Sequence, residues 1–222
     1  MATAASQSVI AFHGIGHPGR ELEPGESRYW ITRERFLRFL DLVATAPDPG
    51  RVHLTFDDCN ESDFTIAMPA LQARGLAGSF FIITSRLDRP GSLSTPQLQA
   101  LASAMEVGSH GINHLDWRRL DAQQLDGELV GSKQVLESCI GRAVTAASFP
   151  FGRYDPRVLS AVRRAGYARV YSTDGGRSRP TDNVVHRTNV RAETSLQNFV
   201  DLMQGRETWS LCVARKLKAV RR

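Results

Sequence analysis

The sequence predicts an α/β fold, a barrel rather than an open wound sheet, on three observations. Short apolar runs alternate with amphipathic segments over the whole length, the pattern of strand–helix pairs around a parallel sheet. Runs such as Phe80-Phe81-Ile82-Ile83 are almost continuously apolar, as suits strands covered on both faces. Chemically able side chains follow several different strands, and barrels assemble their sites from those carboxyl-terminal ends.

Taken in order, Val9 to Phe12 is the first strand, and the polar, glycine-rich stretch from Gly14 to Ser27 reads as a surface loop. Thr32 is placed to cap a helix over 32–44, where Phe36, Leu37, Leu40 and Val43 recur at helical spacing. Pro47, Pro49 and Gly50 end that helix and turn the chain into a strand at 52–56. A second helix runs from Asp63 to Arg74, with Pro69 expected to kink it or to end a first short turn. A buried strand from Gly78 to Thr84 comes next, then a helix from Ser94 to Glu106, capped by Ser94 or Thr95. Val107-Gly108-Ser109 is the following strand end. Asp121 to Ile140 is the longest amphipathic segment, weakened by Gly127 and Gly131. Strands at 146–149, 168–172 and 184–190 alternate with helices at 156–165 and 196–203, and the segment from Thr208 reads equally as strand or helix. No linker, internal repeat or low-complexity stretch divides the chain, so residues 1–222 are expected to form one domain.

At 41% apolar and 23% charged residues, the composition is that of a globular protein. The net charge of +5 comes mainly from arginine, with lysine only at Lys133, Lys216 and Lys218. Without a lysine cluster or aromatic–basic alternation, nucleic acid is not an expected partner, and the basic end at 215–222 reads as a solvated terminus. No window approaches the roughly 20 apolar residues needed to cross a bilayer. The first ten residues lack the pattern of a signal peptide. Cys59, Cys139 and Cys212 resemble no disulfide framework. A cytoplasmic protein is therefore expected.

The chemistry concentrates in two places. Val52-His53-Leu54-Thr55-Phe56-Asp57-Asp58 delivers two carboxylates at the tip of a buried strand, and Gly108-Ser109-His110-Gly111-Ile112-Asn113-His114 supplies two imidazoles. One carboxylate with two imidazoles is an adequate ligand set for zinc or a similar divalent ion. The other aspartate is then free to act as a base, which describes a metal-dependent hydrolase. Singly, these features have plainer explanations: adjacent aspartates often cap a helix, and loop histidines often sit at a surface. Their combination carries the metal reading. Cys59 reads as a small buried filler, and Gly14-Ile15-Gly16 lacks a nucleotide-binding fingerprint.

With those residues in place, the sequence resembles the polysaccharide deacetylase family, also called the NodB-homology carbohydrate esterases. Thr55-Phe56-Asp57-Asp58 is similar to its first motif, Ser109-His110-Gly111-Ile112-Asn113-His114 to its second, and Phe149-Pro150-Phe151-Gly152-Arg153-Tyr154-Asp155 to its third. Phe12-His13-Gly14-Ile15 and the segment Trp30 to Phe36 also resemble upstream segments of the family. The resemblance implies a distorted (β/α) barrel of about seven strands, related to the TIM barrel. It implies Asp57 as general base, Asp58, His110 and His114 as metal ligands, and zinc as the ion, with cobalt or nickel as alternatives. The expected reaction removes an acetyl group from an N-acetylated or O-acetylated sugar of a polysaccharide, glycolipid or precursor.

The third motif lines the family's groove, which puts Pro150, Phe151, Gly152 and Tyr154 against substrate, and His13 is expected near the pocket. The chain departs from the pattern in three places. Cys59 stands where the family usually has glycine. Ala146-Ala147-Ser148 lacks the usual arginine before the third motif, a role that Arg187 could take. No Leu-x-His follows near the end, where Ser210-Leu211-Cys212-Val213 stands. The alternatives kept open are a catalytically weak carbohydrate-binding protein that retains the metal site, and a metal-dependent hydrolase of a non-sugar amide.

Overall fold

In a computed structural model, which describes residues 6–206, six parallel strands follow one another around a barrel. They are β1 (Gln7–Phe12), β2 (Val52–Asp57), β3 (Gly78–Ile82), β4 (Glu106–Ser109), β5 (Ala146–Ser148) and β6 (Arg169–Ser172). The short β7 (Arg177–Ser178) pairs antiparallel with the start of β1 and was not foreseen in the sequence. Closure falls to residues 184–189. There β8 (Val184–His186) runs parallel to β6, and β9 (Thr188–Asn189) runs parallel to β1. The segment expected as one strand at 184–190 is thus two ladders that change partner at Arg187. Counting it as one position gives the seven parallel strands of a distorted (β/α) barrel. A closing strand has neighbours on both sides, and barrel stagger lets it meet them at different heights.

Alternation along the strands sorts the apolar residues into two cores. Ile10 and Phe12, Leu54 and Phe56, Phe80 and Ile82, and Val107, Ala147 and Val170 pack outward against the helices. Val9, Phe81, Ala146, Tyr171 and Val185 form a separate small cluster from the alternate positions, inside the barrel. With a side-chain period of two, Thr55 and Asp57, His110, Ser148 and Arg187 share the inward register. The interior is therefore apolar in its middle and polar at its carboxyl-terminal mouth.

The helices follow the local chemistry of the sequence. α1 (Arg33–Ala44) begins at Thr32, whose side chain accepts from Arg35 N at 3.2 Å. The expected helix from Asp63 opens instead as a π-helical turn, Asp63–Ala67, before α2 (Met68–Gln72). Pro69 has no N–H for the ladder, and the turn before it widens. α3 (Thr95–Ala104) starts with a reciprocal capping box between Ser94 and Gln97. The long segment from Asp121 is α4 (Ala122–Asp126), a second π-helical turn bounded by Gly127 and Gly131, and α5 (Ser132–Ile140). Asp155 caps α6 (Pro156–Arg164), and α7 (Leu196–Met203) lies against α1, where Phe199 stacks on Phe39 with centroids 4.1 Å apart. The segment from Thr208, Cys212 and the basic end lie outside the described residues. Among the described residues, no helix is long and apolar enough to cross a membrane.

Candidate metal centre and active site

Strand β2 ends at Asp57, and the chain turns at once through left-handed backbone, with Asp58 at φ 82° and Cys59 at φ 62°. That conformation explains why glycine is the usual occupant of the position Cys59 fills. The turn swings Asp58 toward the loop after β4, where His114 is also left-handed at φ 54°. Asp58 Oδ1 comes to lie 3.7 Å from His110 Nε2 and 3.8 Å from His114 Nε2. One donor atom from each of the three falls within 4.8 Å of the others.

The donors suit a cation. His110 Nδ1–H donates to the Ser148 carbonyl at 2.9 Å, and His114 Nδ1–H donates to Glu23 Oε2 at 2.9 Å. A carbonyl can only accept, so the Nε2 lone pair of His110 is turned into the site. Burial pushes His110 down to about 4, against nearby Asp57, and the ring is neutral at neutral pH. Burial also opposes charge on His114, but its bond to Glu23 and the nearby Asp58 raise it above its ordinary value. Asp58 Oδ1 is buried without a hydrogen-bond partner among the described residues. An orphaned carboxylate oxygen facing two imidazole nitrogens is a costly arrangement that a divalent cation would satisfy.

Asp57 is held quite differently. Arg187 donates to it through two parallel bonds, NH1 to Oδ1 at 2.7 Å and NH2 to Oδ2 at 2.8 Å. Ser148 Oγ adds a third at 3.1 Å. Burial alone would raise the Asp57 carboxyl, but the Arg187 guanidinium outweighs it and holds it well below the usual carboxylate range. Asp57 Oδ2 stands 3.8 Å from His110 Nε2, beside the cluster rather than in it.

The cluster floors a cleft of about 710 Å³. His13, Asp57, Asp58, His110, His114, Phe151, Gly152 and Arg187 all line it. His13 stacks on Tyr29 at 4.8 Å, and Phe151, 47% exposed, lies 4.4 Å from the His114 ring. Pro150 and Tyr154 are buried behind this wall and do not line it. Tyr154 stacks on Phe149 at 4.6 Å, and its hydroxyl donates to Asp174, which does line the cleft. Gly152, at φ 64°, brings the backbone against Thr173, where a Cβ would collide. Trp117 is fully buried and packs edge-on against Phe149.

Three supporting residues escaped the sequence reading. Glu23 lay in a loop read as plain surface, and Ser148 in a strand noted only for lacking arginine. Glu128 sits in the second π-helical turn. Its carboxylate accepts from Ile112 N at 2.7 Å, Asn113 N at 3.2 Å and Asn113 Nδ2 at 2.8 Å, tying down the histidine loop. The available signal for Ser148 was its polarity at an inward strand end. For Glu23 it was only a carboxylate in the loop following a barrel strand.

Fold and site together define a distorted (β/α) barrel with a candidate metal centre at the carboxyl ends of its strands. The chain belongs to the polysaccharide deacetylase family, whose model matches residues 44–170. It is 27% identical over 156 residues to the Bacillus subtilis (strain 168) protein named "Putative polysaccharide deacetylase YxkH", covering 70% of this chain and 52% of that one. The chain thus spans about half of that relative. The structure is similar to the Streptococcus pyogenes deacetylase PplD in complex with acetate, with TM-score 0.77, 20% identity, and coverage of 90% and 99% of the two chains. It is also similar to BC0361, a polysaccharide deacetylase from Bacillus cereus, with TM-score 0.76, 20% identity, and coverage of 90% and 69%. At these identities the likeness concerns the fold.

Two outcomes are expected from this geometry. Arg187→Met leaves Asp57 buried and unpaired and should cost about 3–5 kcal/mol at neutral pH. A depressed carboxyl stabilises the fold above its unfolded value of roughly 3.9 and loses that contribution as pH falls. The gap between wild type and variant should therefore narrow as pH falls, first as the burial-raised Asp57 of the variant takes up a proton. Below about pH 4 wild type then loses its own contribution, and denaturant titrations of chelated protein would measure both stages. Glu23→Ala removes the carboxylate that orients His114 and should weaken zinc binding about 10–100-fold, read by competition with a chromophoric chelator.

Proposed function

We propose that this chain is a metal-dependent hydrolase that removes an acetyl group from an N-acetylated or O-acetylated sugar in a polysaccharide, glycolipid or precursor. The observation that supports it most is the convergence of Asp58 Oδ1, His110 Nε2 and His114 Nε2 beside a separately clamped carboxylate. Asp58, His110 and His114 would hold the ion. One oxygen and two imidazole nitrogens suit zinc, with cobalt or nickel as alternatives. When bound, such an ion supplies acidified water and a polarised carbonyl.

Asp57 is the proposed general base. Its oxygens have more lone pairs than Arg187 and Ser148 occupy, so the clamp leaves it able to accept a proton from the cleft side. Arg187 favours the charged form of Asp57, so a proton taken from the cleft is one to be passed on. The leaving nitrogen or oxygen must receive one. His13 lines the cleft, and its Nδ1 is buried without a hydrogen-bond partner among the described residues, which makes it the candidate donor alongside Asp57 itself. Phe151 and Gly152 are the proposed sugar contacts of the third motif, with Pro150 and Tyr154 supporting them from behind.

Protein purified without chelator should carry about one equivalent of zinc, cobalt or nickel, lost in His110→Ala and His114→Ala. Asp57→Asn should retain the metal yet lose acetate release by a factor of about 10²–10⁴. Absence of metal from wild type even after reconstitution would sink the mechanism. For His13, the check is the rate and pH profile of His13→Ala on an acetylated oligosaccharide. A lower turnover is expected, and an unchanged rate and pH profile removes His13 from the reaction.

A further inference from the structure

Charge is unevenly distributed around the cleft. Of the carboxylates facing it, Asp57 is paired with Arg187, Glu23 with Arg86 and His114, and Glu26 with Arg20, while Asp58 belongs to the candidate metal centre and Asp174 accepts from the hydroxyls of Tyr154 and Ser172. The rim carries four exposed arginines, Arg28, Arg118, Arg153 and Arg191. Arg118 and Arg153 share a single carboxylate, Asp116, at 2.9 and 3.2 Å. Arg191 reaches Glu193 only at 3.7 Å. Among the described residues, none forms an ion pair with Arg28. At the rim, four guanidinium groups thus meet two carboxylates, and the rim carries an excess of positive charge.

The arginines are also arranged. Arg153 lies over the Phe151 ring at 5.6 Å, after β5. Arg191 lies over Tyr29 at 5.9 Å, beside the end of β1, where Tyr29 stacks on His13. In the strand order β1 and β5 stand well apart around the ring, so the two aromatic–arginine pairs flank the candidate metal centre from different sides. A guanidinium resting on a ring directs its N–H groups outward in the ring-stacked plane, and although Arg153 spends one of them on Asp116, the others remain to reach an oxyanion.

We propose that the substrate is an acidic glycan, with carboxylate or sulfate groups on the sugars flanking the acetylated residue. Arg153 and Arg118 receive one such group, and Arg191 and Arg28 receive another. The acetylated residue between them rests on the deacetylase reading above; the charge preference does not.

The test uses the zinc-loaded full chain carrying Asp57→Asn, and three size-matched, partly N-acetylated oligosaccharides: neutral, uronate-bearing and sulfate-bearing. Calorimetry should find an acidic ligand bound at least about tenfold more tightly than the neutral one at low salt. The advantage should shrink as salt rises and disappear when Arg153→Gln and Arg191→Gln are added, with the circular dichroism spectrum unchanged. The better of the two acidic ligands identifies the group. Equal affinity for the neutral ligand overturns the inference, as does equal competition by single-stranded DNA of the same charge. Acetate release by wild type is measured on the same three compounds. An acidic preference without release upholds the inference and overturns the deacetylase reading; release without preference does the reverse.

Discussion

A guanidinium taken wholly out of water must have every N–H matched, and Arg187 achieves this by drawing on several strands of the barrel. Nε donates to the Ser172 carbonyl, NH1 to Thr55 and Asp57, and NH2 to Asp57 and Ser148. These partners belong to β6, β2 and β5, while Arg187 itself stands where the closing segment passes from β6 to β1. The ion pair is therefore both the clamp on Asp57 and the bolt across the seam. Buried pairs of this kind contribute little net stability compared with apolar packing, yet breaking one is expensive. Its benefit here is geometric: a carboxylate fixed in position and charge at the barrel mouth.

Around that fixed point the backbone is bent into conformations that side chains resist. Asp58, Cys59, His114 and Phe151 all have positive φ, and all lie at or next to the cleft. Such residues cost of order 1–3 kcal/mol each and persist only where their surroundings over-determine them. Those surroundings are identifiable. Glu128 gathers the amides of the histidine loop, Glu23 holds the His114 ring, and Arg86 ties Glu23 and the Asp58 carbonyl together. Both π-helical turns lie next to the site in sequence or contact, one following the aspartates and one presenting Glu128.

Much of this was legible in the residues. Apolar runs marked the strands because both faces of a barrel strand are covered, and Thr32 and Ser94 announced their helices through local capping chemistry. The aspartates and histidines stood out because each set occupies one short string at a strand end. Features that arise only when distant segments meet were harder to read. The break at Arg187 depends on two different neighbouring strands, which the apolar run 184–190 cannot reveal. Glu23 lies 91 positions from the imidazole it orients, and Pro150 and Tyr154 share a motif with Phe151 yet are buried behind the cleft wall. The same runs that exposed the strands concealed which side of each residue faced inward, until the polar positions Thr55, Asp57 and Ser148 fixed the parity.

Cys59 illustrates what the turn after β2 does beyond placing Asp58. Its side chain belongs to the apolar core, and burial, with Asp63 close by, pushes the thiol far above its ordinary value. The thiolate is the form that binds soft metals and reacts with oxidants. A sulfur one residue from a candidate ligand is thus kept protonated and out of reach, and the centre retains the hard–borderline character of oxygen and nitrogen donors. Such a site does not depend on a reducing environment to keep its ligand set intact.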